Sequence, residues 1–456
     1  MIMVALKALI LSVWCIAVST AVINKDVSRI IDATTSIVRV STNIKAVNID
    51  DEYNLIFPND VAGKLAFLSV KLKGEQLAVK SPVMNGDYTV YAVSVPESSA
   101  TLKVSATFTN LLEPYPAEIT QKENQFMRLQ DSHYFFSPYE TETQKCTFKL
   151  ASSSVESFTK LSPFTAKGAN VNFGPYENIA PFSFSPAMVH YTNNYPFAKF
   201  STMSRELEVS HWGSIAVEEI YELQHAGAVL KGGFSRIEYQ MQRAGSSPSF
   251  RSLSTMLPAQ ANSIYYRDQI GNISTSDMRV DEDGMLELDI QTRFPMFGGW
   301  KTQFYLGYSI PTENALYLDS SDRYNLKFDF FTAFENVWVE DMELKVILPE
   351  GCEDIQVNVP YPVDQTSARR FTYLDSEMNG GRPVIILHAK NLVEEHDQQV
   401  HISYTFSKPR MFVEPFMLVS AFLAFFLMCS LLSRMGGIGA KSSSSSSGSS
   451  SSLKKD

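Results

Sequence analysis

The sequence predicts an all-β fold: two tandem antiparallel β-sandwich-like domains followed by one C-terminal transmembrane helix. Three observations predict it. First, apolar and polar residues alternate with period two in many short runs. Leu102, Val104, Ala106 and Phe108 alternate with Lys103, Ser105 and Thr107; Leu286, Leu288 and Ile290 alternate with Glu287 and Asp289. Similar faces recur at Leu326, Phe328 and Phe330, at Met342, Leu344, Val346 and Leu348, and at Ile402, Tyr404 and Phe406. One dry and one wet face per strand is the pattern of antiparallel sheets packed on one side. Second, turn residues punctuate the runs at Asn85-Gly86-Asp87, Asp283-Gly284, Pro349-Glu-Gly351 and Asn379-Gly-Gly381. Third, long stretches of helical period are confined to the two ends.

The N-terminal element is read as a cleaved secretory signal over 1–21. Lys7 precedes the apolar run Ala8–Val18, too short to span a bilayer, and small residues follow at Ser19 and Ala21. A first β domain is assigned to 22–203 and a second to 204–408. A faint repeat suggests that they are alike: Ser36–Val47 resembles Arg205–Val217, and Gly174-Pro-Tyr-Glu resembles Val359-Pro-Tyr-Pro. The span is assigned to 415–433, where no charge occurs. A helix of that length covers roughly 26–29 Å at 1.5 Å per residue, close to the roughly 27 Å of the endoplasmic reticulum bilayer. Lys408 and Arg410 on one side balance Arg434 and Lys441 on the other, so the signal sets the orientation: bulk in the lumen, tail in the cytosol. The tail, 434–456, is serine-rich, and Leu453-Lys454-Lys455-Asp456 is one position away from a dilysine retrieval signal. Small residues Ser420, Ala421 and Ala424 offer the span a close approach to partner helices. Glu414, just outside it, would snorkel or meet a basic residue of a neighbouring subunit.

Composition narrows the function. Of 456 residues, 45% are apolar and 19% charged, the balance of a folded protein. With 39 Lys+Arg against 49 Asp+Glu the net charge is −10, which argues against a nucleic-acid surface. A mean hydropathy of −0.08 excludes a polytopic membrane protein. Four cysteines exclude a disulfide-stapled scaffold. Cys146 and Cys352 are expected to be free, mostly buried thiols.

Catalytic chemistry is sparse. Asp281-Glu-Asp283 matches the Asp-x-Asp by which many sugar transferases hold a divalent cation, yet it directly precedes Gly284 and a strand, where a turn belongs. His396 and His401 are five apart on an expected strand, on opposite faces, and do not converge on a metal. Gly436-Gly-Ile-Gly439 follows a helix, which is the wrong context for a phosphate loop. No catalytic, cofactor-binding or metal residue is assigned. One modification site is: Asn272-Ile-Ser274, the single Asn-x-Ser/Thr sequon, set in a turn-rich stretch and expected to carry a glycan in a lumenal domain. Besides a binding or assembly role, two alternatives carry weight: a lumenal metal-dependent sugar transferase using Asp281 and Asp283, and a cell-surface adhesion receptor of tandem sandwiches.

Several segments together carry a resemblance: His211-Trp-Gly-Ser-Ile-Ala-Val-Glu-Glu219, Ala228-Val-Leu-Lys-Gly-Gly-Phe-Ser-Arg236, Tyr265–Ser276, Arg293-Phe-Pro-Met-Phe-Gly-Gly-Trp-Lys301, Gly381-Arg-Pro-Val-Ile-Ile-Leu and Lys390-Asn-Leu-Val-Glu-Glu-His396. They resemble the ribophorin I family, subunit 1 of the oligosaccharyltransferase complex, most closely from about 191 to 406. The resemblance implies a non-catalytic, single-pass subunit resident in the endoplasmic reticulum membrane. Such a subunit supports assembly and acceptor presentation while the complex moves a glycan from dolichyl diphosphate to Asn of nascent chains. Implied partners are the other subunits, including the catalytic one, nascent polypeptides, the translocon and membrane lipid; no cofactor and no nucleic acid are implied. The family's glycosylated asparagine corresponds to Asn272. The catalytic subunit's Trp-Trp-Asp-Tyr-Gly motif is missing here. The serine-rich tail stands where animal members carry a long helical cytosolic domain.

Overall fold

A computed structural model describes residues 21–241, 247–281, 284–372, 375 and 380–439. The expected signal up to residue 20, Glu282 and Asp283, and the tail from 440 lie outside the described residues.

Period-two patterning becomes strand throughout. In Ser214–His225 every second side chain is buried from Ile215 to His225. The strands form two sets of sheets with one topology. In the first set the large sheet runs Phe164–Lys167, Asn170–Ile179, Glu140–Leu150, Ile23–Ala33, Val38–Val47, Ser99–Phe108, Leu65–Leu72, with Glu75–Gln76 added at the edge. In the second it runs Asp364–Arg370, Arg382–Leu392, Trp338–Ile347, Ala198–Val209, Ser214–His225, Lys301–Pro311, Asn262–Asp268. Chain order and spatial order correspond strand for strand. The smaller sheets correspond as well. Val155–Phe158, Pro186–Thr192, Phe126–Ser132 and Leu112–Pro114 match Glu353–Asn358, Gln399–Thr405, Arg323–Asp329 and Leu316–Leu318. Glu52–Pro58, Tyr88–Ser94 and Val83–Asn85 match Phe250–Leu257, Leu286–Met296 and Asp277–Val280.

Three details differ from the sequence reading. Within each half, pairing among the described residues is antiparallel except that the first strand of the large sheet lies parallel to a later one: Ile23–Ala33 with Glu140–Leu150, and Ala198–Val209 with Trp338–Ile347. Parallel neighbours need a long crossover, and the whole three-stranded sheet of each half lies within it. Strand Ala198–Val209 also crosses residue 203, so 198–203 pair within the second set. Finally, the two sequence matches do not align equivalent strands. Ser36–Val47 covers a strand matching Ser214–His225, whereas Arg205–Val209 belongs to the strand before. Gly174-Pro-Tyr-Glu lies inside Asn170–Ile179, but Val359-Pro-Tyr-Pro follows Glu353–Asn358, whose counterpart is Val155–Phe158. The repeat is one of topology, carried by burial pattern rather than by those identities.

Cys146 and Cys352 are buried free thiols in different halves. Burial pushes each thiol up to about 12, so neither offers a thiolate near neutral pH.

Two contacts fix the halves to each other. Glu118–Ile119 pairs in parallel with Val229–Leu230 across the junction. The Gln125 side chain accepts from Ala228 N–H (2.8 Å) and donates to the Asn193 carbonyl (2.9 Å). At the second contact Ile37, Trp338 and Val393 are buried together against Ala66 and Phe67. Arg39 reaches Asn336 Oδ1 (3.1 Å) and Glu394 (3.0 Å), and Thr107 donates to Glu395 (2.8 Å).

His225 sits at the first contact, fully buried. Its Nδ1 accepts from Gly227 N–H (3.0 Å) and its Nε2–H donates to the Pro248 carbonyl (2.8 Å). The ring is therefore neutral, and a second proton at Nδ1 would face an N–H. Burial pushes its pKa down to about 4. An unfolded histidine titrates near about 6.5. Because the folded value is the lower one, the unfolded chain binds the proton first. The stability contribution is complete above pH ~6.5 and is lost as pH falls through about 4. The expected loss between pH 7 and pH 5 is about 2 kcal/mol. Half-buried His211, also lowered to about 4 by burial, adds a contribution of the same sign. Urea midpoints of the wild type and His225→Gln at pH 7 and pH 5 isolate the effect: the substitution is expected to remove the His225 share and leave that of His211.

Candidate functional site

Of the Asp281/Asp283 candidate pair, Asp281 lies in a turn and Asp283 lies outside the described residues. Asp281 N–H donates to the Met285 carbonyl (2.8 Å) and Gly284 N–H to the Asp281 carbonyl (2.9 Å). Gly284 has φ +81°. The segment is the turn that joins Asp277–Val280 to Leu286–Met296, as its Asp-Gly dipeptide demands. His396 and His401 do not share a strand, contrary to expectation: His396 lies buried in the 3₁₀ turn Glu394–His396, and His401 lies in Gln399–Thr405. His396 Nδ1 accepts from Val393 N–H (3.2 Å), which curls the backbone into that turn.

Asn272 is exposed, on the turn after Asn262–Asp268. The turn is rigid for local reasons. Asp268 Oδ1 accepts from Ile270 N–H (2.9 Å) and Gly271 N–H (3.0 Å). Arg293 clamps the same carboxylate (Nη2 to Oδ1 2.7 Å) and reaches the Gly271 carbonyl (3.3 Å). These bonds, the Arg293 pairing foremost, hold the Asp268 carboxyl below its ordinary pKa. Gly271 takes φ +141°, which a side chain rarely adopts. The sequon is thus presented on an open, fixed turn.

The end of the molecule that bears the apolar helix is a second site, built from residues far apart in sequence. Val413–Gly439 is one helix, continuing from the 3₁₀ turn Lys408–Phe412. The span expected at 415–433 lies inside it. Phe416 and Phe426 are each 68% exposed, and no residue of the most apolar stretch is buried within the chain. Such a surface needs lipid or partner helices around it. At its base Arg382 holds three carboxylates: Glu208 (2.7 Å), Asp375 (3.1 Å) and Glu414 (3.4 Å). Partial burial disfavours the Arg382 charge, but Asp375, Glu208 and Glu414 outweigh it and raise its pKa. The partner expected for Glu414 on a neighbouring subunit is therefore found on this chain. Nearby, Arg410 donates to the Gly351 carbonyl (2.9 Å) and pairs with Glu353 (3.2 Å). Trp212 (62% exposed) meets Phe412 edge-on at 6.1 Å, and Phe412 in turn meets Phe416. Exposed aromatic rings at the foot of an apolar helix are the composition of a membrane interface belt. Sequence reasoning missed Arg382, Trp212 and Phe412. Trp212 followed by Gly213 in a turn was the one available sign, and nothing in the spacing ties Arg382 to Glu414.

Comparison with known proteins covers the whole of this architecture. The family model for ribophorin I matches residues 22–433. Dolichyl-diphosphooligosaccharide–protein glycosyltransferase subunit 1A of Arabidopsis thaliana is 38% identical over 449 residues, covering 94% of this chain and 72% of its own. Subunit 1 of the same enzyme from Caenorhabditis elegans is 39% identical over 424 residues, covering 90% and 72%. Subunit 1B from Arabidopsis thaliana is 39% identical over 420 residues, covering 88% and 90%. Among solved structures, leukotriene A4 hydrolase from Saccharomyces cerevisiae aligns over 41% of this chain and 31% of its own at 9% identity, with a TM-score of 0.26 that carries no argument. With one family model spanning both β halves and the apolar helix, and identities near 40% over nearly the full length, the chain belongs to the ribophorin I family.

Proposed function

We propose that this chain is a non-catalytic subunit of an oligosaccharyltransferase in the endoplasmic reticulum membrane, with its β domains, drawn from the sequence at 22–203 and 204–408, in the lumen. The observation that carries the reading is the near-complete coverage by relatives that are named as subunit 1 of that enzyme. In this role it supports assembly of the complex and presents acceptor polypeptides. Its partners are the other subunits, including the catalytic one, together with nascent chains, the translocon and lipid. Asn272 carries a glycan. Two structural features support the reading: no residue of the most apolar stretch of the helix is buried within the chain, and Asn272 is exposed. No observation favours the sugar transferase or the adhesion receptor.

Purification of the tagged chain in mild detergent is expected to recover the catalytic subunit and the glycosyl transfer activity. The glycan on Asn272 is expected to be sensitive to endoglycosidase H and lost in Asn272→Gln. External protease on sealed microsomes is expected to remove only the tail. Recovery of the chain without other subunits, or digestion of its β domains from outside, would overturn the reading.

A further inference from the structure

The first half contains a cavity of about 370 Å³ between its large sheet and its two smaller sheets. Its deep wall is buried, at Thr42, Val104 and Ala106; its rim is exposed at Asp60 and Phe184. Among the groups at the polar end are Arg29 and Asp131, paired at 2.8 Å.

The second half shows what this space holds when it is full. Arg29 lies opposite Thr42 on one neighbouring strand and Cys146 on the other. Arg205, at the matching place, lies opposite Glu219 and Leu344. Both arginines donate Nη1 to a backbone carbonyl at the end of corresponding strands, Ser132 (3.2 Å) and Asp329 (2.8 Å). Following the ladders outward, Val40 pairs with Ala106 and Val217 pairs with Tyr308. Thr42 therefore stands where the second half has Glu219, and Ala106 where it has Tyr308. In the second half the Tyr308 phenol is buried and its oxygen accepts from Arg205 (3.2 Å). In the first half two small side chains leave the corresponding volume open.

The edge strand beside this space differs too. In the second half, strand Phe250–Leu257 is closed off by the segment after Asp329: Thr255 bridges Phe334, and Glu335 N–H donates to the Ser254 carbonyl (3.1 Å). In the first half, Glu52–Pro58 is likewise an edge and lines the cavity from Leu55 to Pro58. Among the described residues no backbone bridge covers it on that side; Asn54 N–H meets the Tyr139 hydroxyl instead.

We infer that this cavity receives an aromatic side chain, preferentially tyrosine, from an extended segment of another polypeptide lying along the free edge of Glu52–Pro58. The ring takes the place that Tyr308 occupies in the second half. The guest hydroxyl, a donor, meets the Asp131 carboxylate or the Thr42 oxygen. Phe136 and Phe184, in contact at 6.4 Å and continuous with Phe182 and Tyr88, give the incoming segment an apolar approach. Strand addition supplies affinity through the backbone, and the cavity supplies selectivity through the side chain. The inference goes beyond the reading above, and because it is tested on the isolated chain it does not depend on membership of a complex.

The test uses the full chain purified into lipid nanodiscs and a fluorescein-labelled peptide, Gly-Ser-Val-Tyr-Val-Ser-Gly, followed by anisotropy. The peptide is expected to bind at least about tenfold tighter than its serine-for-tyrosine analogue. Ala106→Tyr fills the cavity from inside, as Tyr308 does in the second half, and is expected to weaken peptide binding by about tenfold or more while the melting temperature holds or rises. Met188→Trp, at the rim and away from the core, is a second block with the same expected loss. Equal binding of the two peptides, or unchanged binding by both variants, would overturn the inference. Binding of a labelled decanoyl chain with no binding of the tyrosine peptide would also overturn it, in favour of a lipid site.

Discussion

Glu219→Ala is expected to destabilise the second half by about 3–5 kcal/mol, because it leaves the Arg205 charge buried without its counter-ion. Glu219 is wholly buried and the Arg205 side chain nearly so, with Nε 3.1 Å from the carboxylate. Tyr221 and Thr332 each donate to the same carboxylate at 2.7 Å. Two buried hydroxyl donors and one buried cation thus lose the same carboxylate in a single substitution. For a unit of roughly 200 residues, where 1 kcal/mol shifts the melting temperature by about 2–4 °C, a fall of about 6–20 °C follows. Differential scanning fluorimetry of the purified chain measures it. The control is Arg205→Met/Glu219→Leu. Removing both charges together leaves no isolated ion, so the double variant is expected to lose less than Glu219→Ala alone. A double variant as damaged as the single one would show that shape, not charge, holds this site.

Gly298→Ala is expected to loosen the junction between the halves by about 1–3 kcal/mol or more, through overpacking. A methyl group on Gly298 would lie 1.7 Å from the Ala228 carbonyl oxygen and 2.5 Å from its carbon. Both are backbone atoms, so no rotamer change relieves the clash. Gly298 also accepts from Leu230 N–H (3.1 Å), and Leu230 belongs to the ladder that crosses to Glu118–Ile119. The strand cannot retreat without opening that crossing. Limited proteolysis is expected to cut the variant between the halves while each half stays protected. Cleavage at the wild-type rate would show that the junction yields without cost.

Most of the fold was legible because burial on one sheet face writes itself into every second residue. The strand around Leu102–Phe108 and the apolar run from Phe416 needed no partner to be identified. The site residues divide differently. Asn272 and the Asp281–Gly284 turn were readable because each rests on neighbours in sequence. Arg382 with Glu208 and Glu414 was not, since those groups come from three elements separated by more than a hundred residues of chain at the widest. The repeat is real in topology, but the two sequence matches fall on strands that are not equivalent. Equivalent positions here share orientation and burial rather than identity, as Thr42 and Glu219 show.

The sequence by itself determined the all-β class, the C-terminal apolar helix and the exposed sequon, because alternation, hydrophobic length and turn chemistry are local properties. It also contained enough family pattern to place the chain among the ribophorin I proteins. Tertiary structure alone decided that the first strand of each half sits mid-sheet beside a parallel neighbour, that Glu414 meets Arg382 of its own chain, and that Ala106 faces an open volume where Tyr308 fills its counterpart. Those outcomes depend on which strands become neighbours. A period-two pattern states which face of a strand is buried, but carries no information about the strand that will lie beside it or the side chain that will lie above it.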